Sequence, residues 1–156
     1  MRPMPREAVR IERLTVRDGR IACDLAVLSG APRESTPEIA ARLARRFPTL
    51  ALHACVNENG DTFGACMEAT PLPHVLEHLV IDLQVRADEA RAAARAADVR
   101  ALAAPDGAPA SAYVGTSEWV DEVAGLARVE VSFTDDLVAL RAFRDAAAAL
   151  NKAVVP

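Results

Sequence analysis

The 156-residue chain predicts an α+β fold: a mostly antiparallel sheet of about five strands packed with three or so helices. Three observations lead there. Short apolar–polar alternations recur, two of them joined by a tight-turn signal. Capped runs with apolar residues four apart mark amphipathic helices. The two kinds of segment do not alternate regularly as βαβ units would, which points to α+β rather than a parallel α/β sheet. With 51% hydrophobic residues, positions 1–156 suffice for one domain with its own core.

The elements follow in order. AVRIERLTV (8–16) alternates as a half-buried strand, Asp18-Gly19 supplies the hairpin turn, and RIACDLAVL returns. STPEIAARLARRF opens with a cap residue and an early proline, and Ile39, Leu43 and Phe47 form its core stripe. LALHACV (50–56) reads as a third strand, closed by the turn residues NENGD. A second helix begins near Thr70, where Pro71 and Pro73 are tolerated because first-turn amides lack partners, and extends to about Ala103. APDGAPAS is a loop; AYVGTSEWVDE and LARVEVSF read as two more strands. TDDLVALRAFRDAAAALNKAV closes as a helix, with Thr134 as cap and Asp135 and Asp136 at its positive end.

Composition narrows the function. A net charge of −4 argues against a nucleic-acid surface. No apolar run is long enough to span a membrane, and the charged start lacks a signal peptide's apolar stretch. Three cysteines, Cys23, Cys55 and Cys66, cannot all pair and form no CxxC, which predicts reduced thiols in the cytoplasm.

The chemistry concentrates in PLPHVLEHLVIDLQ (71–84). His74 and His78, four apart on a helix, share a face, so two imidazoles can converge on one ion. Glu77 lies about 60° round from His74, placed to take a proton from an activated water. H-x-x-E-H is the inverted zincin order, in which zinc acidifies water and the glutamate is the general base. A hydrolytic zinc needs a third protein ligand; by chemistry alone Glu118, Glu122, Asp121, His53 and Cys66 qualify. Asp82, four residues after His78, is placed to accept from that imidazole's second nitrogen. The bland reading of the same stretch is a capped amphipathic helix with Val75, Leu76, Leu79 and Leu83 in the core and the histidines in solvent. Likewise, His53 reads as a strand residue with a local partner, Cys55 and Cys66 as small buried hydrophobes, and Trp119 as packing.

HACVNENGDTFGACMEATPLPHVLEHLVIDLQ resembles the N-terminal domain of cyanophycin synthetase, where a His and Cys strand, a glycine turn and a short helix precede an H-V-x-E-H-x-x-x-E-L-Q helix. His74, Val75, Glu77, His78, Leu83 and Gln84 match, with Asp82 where the family has glutamate. TPEIAARLARRFPTL resembles the family's upstream helix. SEWVDEVAGLA resembles its E-Y-x-E-E-x-x-G-x-A segment through Glu118, Glu122, Gly125 and Ala127, with Trp119 for tyrosine. Synthetases of this family make an aspartate-backbone polymer bearing arginine, using ATP-grasp and Mur-ligase-like domains that this sequence lacks. The N-terminal domain holds the polymer and, in some members, cuts it at a metal-dependent site. The resemblance therefore implies zinc on His74, His78 and Glu118, Glu77 as base, Asp82 and Glu122 in support, and a peptide or peptide-like polymer as substrate. A non-catalytic polymer- or protein-binding module is the alternative. The stretch 85–111 departs from the family's glycine- and arginine-rich segment, so contacts made there do not carry over.

Overall fold

A computed structural model of the chain describes residues 6–98 and 112–155. Alternation at the start of the chain forms β1 (Val9–Arg17) and β2 (Arg20–Val27), joined by the Asp18-Gly19 turn. Gly19 has φ +68°, the left-handed backbone such a turn demands and glycine supplies without steric cost. The remaining elements are α1 (Pro37–Arg46), β3 (Ala54–Asn57), β4 (Gly60–Thr62), α2 (Leu72–Asp98), β5 (Gly115–Asp121), β6 (Leu126–Ser132) and α3 (Asp136–Val154), with short 3-10 turns at Leu50–Leu52 and Phe63–Ala65. The expected α+β class is found, with a strand difference. Four strands form an antiparallel sheet in the order β1-β2-β6-β5, and β3 and β4 make a separate two-stranded ribbon.

That difference has a local cause. In LALHACV the first three residues wind into a 3-10 turn, His53 N donating to Leu50 O, which drives Leu50 fully into the core and leaves Leu52 exposed. Only Ala54–Asn57 remains extended, and its partner is β4 through the Asn57–Gly60 hairpin. A second correction concerns α3. Its N-cap is Asp135, whose carboxylate accepts from Leu137 N and Val138 N, while the Thr134 hydroxyl lies 3.2 Å from that of Tyr113. A carboxylate facing free amides at the positive helix end outcompetes a neutral hydroxyl. α1 is capped by Thr36 with Pro37 in its first turn, and Ile39, Leu43 and Phe47 are buried as their spacing predicts. α2 is helical from Leu72 to Asp98; the expected stretch to Ala103 and the loop 104–111 lie outside the described residues.

Strand parity decides which side chains meet the helices. Ile21, Cys23 and Leu25 of β2 and Ala127, Val129 and Val131 of β6 are buried on one face, the face covered by α2 and α3. Side chains of opposite parity point away; there Arg128 pairs with Asp24 at 3.1 Å. The front of α2 is interior, with Leu72, Val75, Leu76, Leu79 and Val80 fully buried. From Glu89 its side chains are exposed. No described helix is long and apolar enough to cross a membrane.

Candidate metal site and its cavity

α2 delivers His74, Glu77 and His78 from its first two turns into a cavity of about 790 Å³. Its floor is the stripe Pro71, His74, Glu77, His78 and Ile81, spaced as one helix face requires. Ala54 and Cys55 at the start of β3 form one wall, and residues 112–117, leading into β5, form the other.

The histidines are not a solvated face. His78 is 4% exposed, stacked on Phe63 with ring centroids 4.1 Å apart; His74 meets the same ring edge-on at 5.2 Å. Burial, reinforced by the charges of His74 and His53, pushes the His78 pKa down to about 3, and burial lowers that of His74. Both are therefore neutral near pH 7, the state that ligates metal. Burial raises the Glu77 carboxyl above its ordinary value, opposed by a hydrogen bond with Ser117. A proton acceptor gains basicity this way.

Each imidazole is held by its second nitrogen. His74 Nδ1 lies 2.8 Å from Thr70 Oγ1, and its Nε2 lies 3.5 Å from Cys55 Sγ. His78 Nδ1 lies 3.1 Å from His53 Nδ1, and His53 Nε2 lies 3.0 Å from Asp82 Oδ1. Asp82 is thus not the direct partner of His78; it acts through His53. Burial works against its charge, but hydrogen bonds from His53 and Thr49 and the Arg86 guanidinium hold its carboxyl below the ordinary value. Thr49 Oγ1 donates to Asp82 Oδ1 at 2.6 Å, and Arg86 Nε stands 3.0 Å from Oδ2. A carboxylate can only accept, so His53 Nε2 donates to it. A neutral His53 then accepts at Nδ1 from His78 Nδ1–H, which leaves the His78 Nε2 lone pair free.

Among the described residues, the metal-capable group is Cys55, His74 and His78, whose donor atoms lie within 4.8 Å of one another. Ligands of a tetrahedral zinc, bonded at about 2.0–2.3 Å, stand about 3.3–3.6 Å apart. The Cys55–His74 separation of 3.5 Å already meets that spacing. Two imidazoles, one thiol and an open cavity side fit a three-ligand catalytic zinc.

The other expected ligand positions are not brought in. Glu118 sits on β5 opposite Arg128 with its side chain exposed, on the sheet face turned away from α2, one residue out of phase with Ser117. Glu122 and Asp121 lie at the β5–β6 turn, where Asp121 Oδ1 accepts from Ala124 N. Cys66 is buried beside Cys55, which helps burial raise its thiol pKa. Cys55, taken from the sequence as a small hydrophobe, is the sulfur that reaches the histidines, and His53, read as locally partnered, is partnered by His78 and Asp82. The signal was the two-residue spacing His53-x-Cys55 ahead of the helix, which directs both toward one side. Gly115 belongs to the site as well, without a motif to mark it. A Cβ there would stand 2.7 Å from Glu77 Cγ and 2.9 Å from Oε1, so β5 approaches Glu77 as closely as it does because this residue has no side chain.

These features define an α+β domain in which a half-buried cysteine and histidine meet a buried histidine, with a buried carboxylate beside them on the same helix as the histidines. The chain belongs to the family described as cyanophycin synthase-like N-terminal domain, whose model matches residues 20–101. That span carries His53, Cys55, His74, Glu77, His78 and Asp82; β5 lies beyond it. No curated protein matches the chain.

Proposed function

We propose that this domain is a zinc-dependent hydrolase that cuts an amide bond in a peptide or peptide-like polymer. The observation that carries the reading is the convergence of Cys55, His74 and His78 in the cavity where Glu77 is buried. Cys55 takes the ligand role that family resemblance assigns to Glu118. Bound by Cys55, His74 and His78, zinc would supply Lewis acidity toward the scissile carbonyl and water. Glu77 accepts the water's proton and passes it to the leaving amine, a task favoured by its raised pKa. Asp82 and His53 hold His78 in the ligating tautomer, and Thr70 orients His74. The three cysteines are free thiols, and a ligating Cys55 needs the reducing conditions of the cytoplasm to remain one.

The test is elemental analysis of untagged protein together with Glu77→Gln. One equivalent of zinc is expected, retained in the variant, with peptide cleavage abolished; full activity in Glu77→Gln overturns the mechanism. One observation favours a second reading, a non-catalytic module that holds a polymer or protein: the nitrogens of His74 and one nitrogen of His78 already have protein partners. That reading expects no stoichiometric metal and ligand binding indifferent to chelator.

A further inference from the structure

We infer that the open edge of β5 receives an extended peptide as an added strand, laid along the groove over His74, Glu77 and His78. The inference takes this cavity to be the substrate site, as proposed above, and adds how the substrate is held.

The backbone phase of β5 is fixed by its neighbours. Among the described residues β5 is the last strand of the sheet, with β6 on one side only. Phe133 N donates to Gly19 O, and Ser132 N donates to Val114 O. Odd-numbered residues of β6 therefore direct their backbone groups to β2, and even-numbered ones to β5. Gly115 is opposite Val131 and Ser117 opposite Val129, pairs in which neither residue bonds the other. The N–H and C=O of Gly115 and Ser117 consequently point off the sheet, away from β6. These two residues line the cavity, so an edge unpaired among the described residues, which is a template for another strand, borders the candidate catalytic group.

The groove has the dimensions of a strand. From Pro71 to Ile81 the floor rises along α2 by about 15 Å, room for about four extended residues at about 3.3 Å each. β3, with Cys55, faces β5 across this floor. A chain paired to Gly115 and Ser117 is held by its backbone, and its carbonyls pass the Glu77 and Cys55-His74-His78 side of the groove. Gly115 permits the approach, since any side chain there would occupy the space of the Glu77 carboxylate. The substrate class is thus an unfolded or extended α-peptide recognised through its main chain.

The test uses Glu77→Gln protein, which does not depend on turnover, and a pool of acetylated, amidated, unstructured octapeptides from which the tightest binder is selected. Amide resonances of Gly115 and Ser117 are expected to shift and gain exchange protection on binding, whether or not metal is present. Scanning N-methylation along that peptide is expected to weaken binding about three- to tenfold at alternate residues and little between them, the period-two signature of strand pairing. On the protein, Ser117→Pro removes the outward N–H and should bind less tightly than Ser117→Ala, which lacks only the hydroxyl. No binding by any pool member at millimolar concentration, binding without protection of these two amides, or an N-methyl scan without alternation overturns the inference. Zinc content and cleavage by the wild-type protein are read separately, so a failed metal reading leaves this result interpretable.

Discussion

The two walls of the cavity contribute different things. The β3 wall brings side chains with lone pairs: Cys55 beside His74, and just before the strand His53, linking His78 to Asp82. The β5 wall brings hydroxyl groups but no imidazole or thiol: Ser117 stands at Glu77, Gly115 has no side chain, and among the described residues main-chain groups are unpaired at its edge. Both strands press on the same two turns of α2. On the proposed reading, metal affinity and substrate handling would belong to opposite walls of one cavity, and substitutions on each wall should separate them.

The largest expected effect is on the donors themselves. His78→Ala and His74→Ala should abolish stoichiometric zinc, and Cys55→Ser should weaken zinc binding severely while the fold persists, as measured by elemental analysis and circular dichroism. A Cys55→Ser protein that binds zinc as tightly as wild type would remove β3 from the ligand set. One step outward, Asp82→Asn should lower metal affinity or activity about 10–100-fold, because the amide no longer compels His53 to donate toward it. If competition against a chelator shows unchanged affinity, the hydrogen-bonded chain to His78 is structural only.

The β3 side should also carry the pH dependence. A histidine whose folded pKa lies below its unfolded value contributes stability that is present above the unfolded pKa, about 6.5, and lost as pH falls toward the folded one. For His78 that window runs from about 6.5 down to about 3. Glu77, raised, acts in the opposite sense, so the measurement belongs on metal-free Glu77→Gln. Its urea midpoint should fall between pH 7 and pH 4.5, and more than that of a protein also carrying His78→Phe. Equal slopes would place His78 in water.

On the β5 side, Gly115→Ala should leave zinc content unchanged and reduce turnover. The new methyl group must displace the Glu77 carboxylate, since it would stand 2.9 Å from Oε1, and overpacking of this kind costs about 1–3 kcal/mol of stability. Loss of zinc in this variant would mean that the two walls are not independent.

Local patterns carried most of the fold. The hairpin, the stripe of α1 and the face of α2 follow from spacing and caps, and the helical spacing of His74, Glu77 and His78 is what brings all three to one cavity. What the chain did not disclose depended on phase and on long-range contact. LALHACV alternates well enough for a strand, yet core burial of Leu50 bends it into a turn. Asp82 has the helical spacing to serve His78, but His53 enters between them from another element, which spacing within one helix cannot reveal.

Glu118 shows why phase matters, and it gives the smallest expected effect. A one-residue change of register on a strand sends a side chain to the other face, and Glu118 is on the wrong parity to meet α2: Ser117 faces Glu77, whereas Glu118 faces solvent opposite Arg128. Glu118→Gln should therefore change neither zinc content nor turnover, and stability by no more than about 0.5 kcal/mol. The companion Ser117→Ala, one residue away, should alter the activity–pH profile instead, because the hydrogen bond that opposes the raised Glu77 pKa is lost and the acidic limb moves to higher pH. A zinc deficit in Glu118→Gln would restore the carboxylate as ligand and require β5 to shift register by one residue; an unaltered profile in Ser117→Ala would separate Ser117 from the proton acceptor. The neighbouring pair thus tests, at single-residue resolution, which face of β5 belongs to the site.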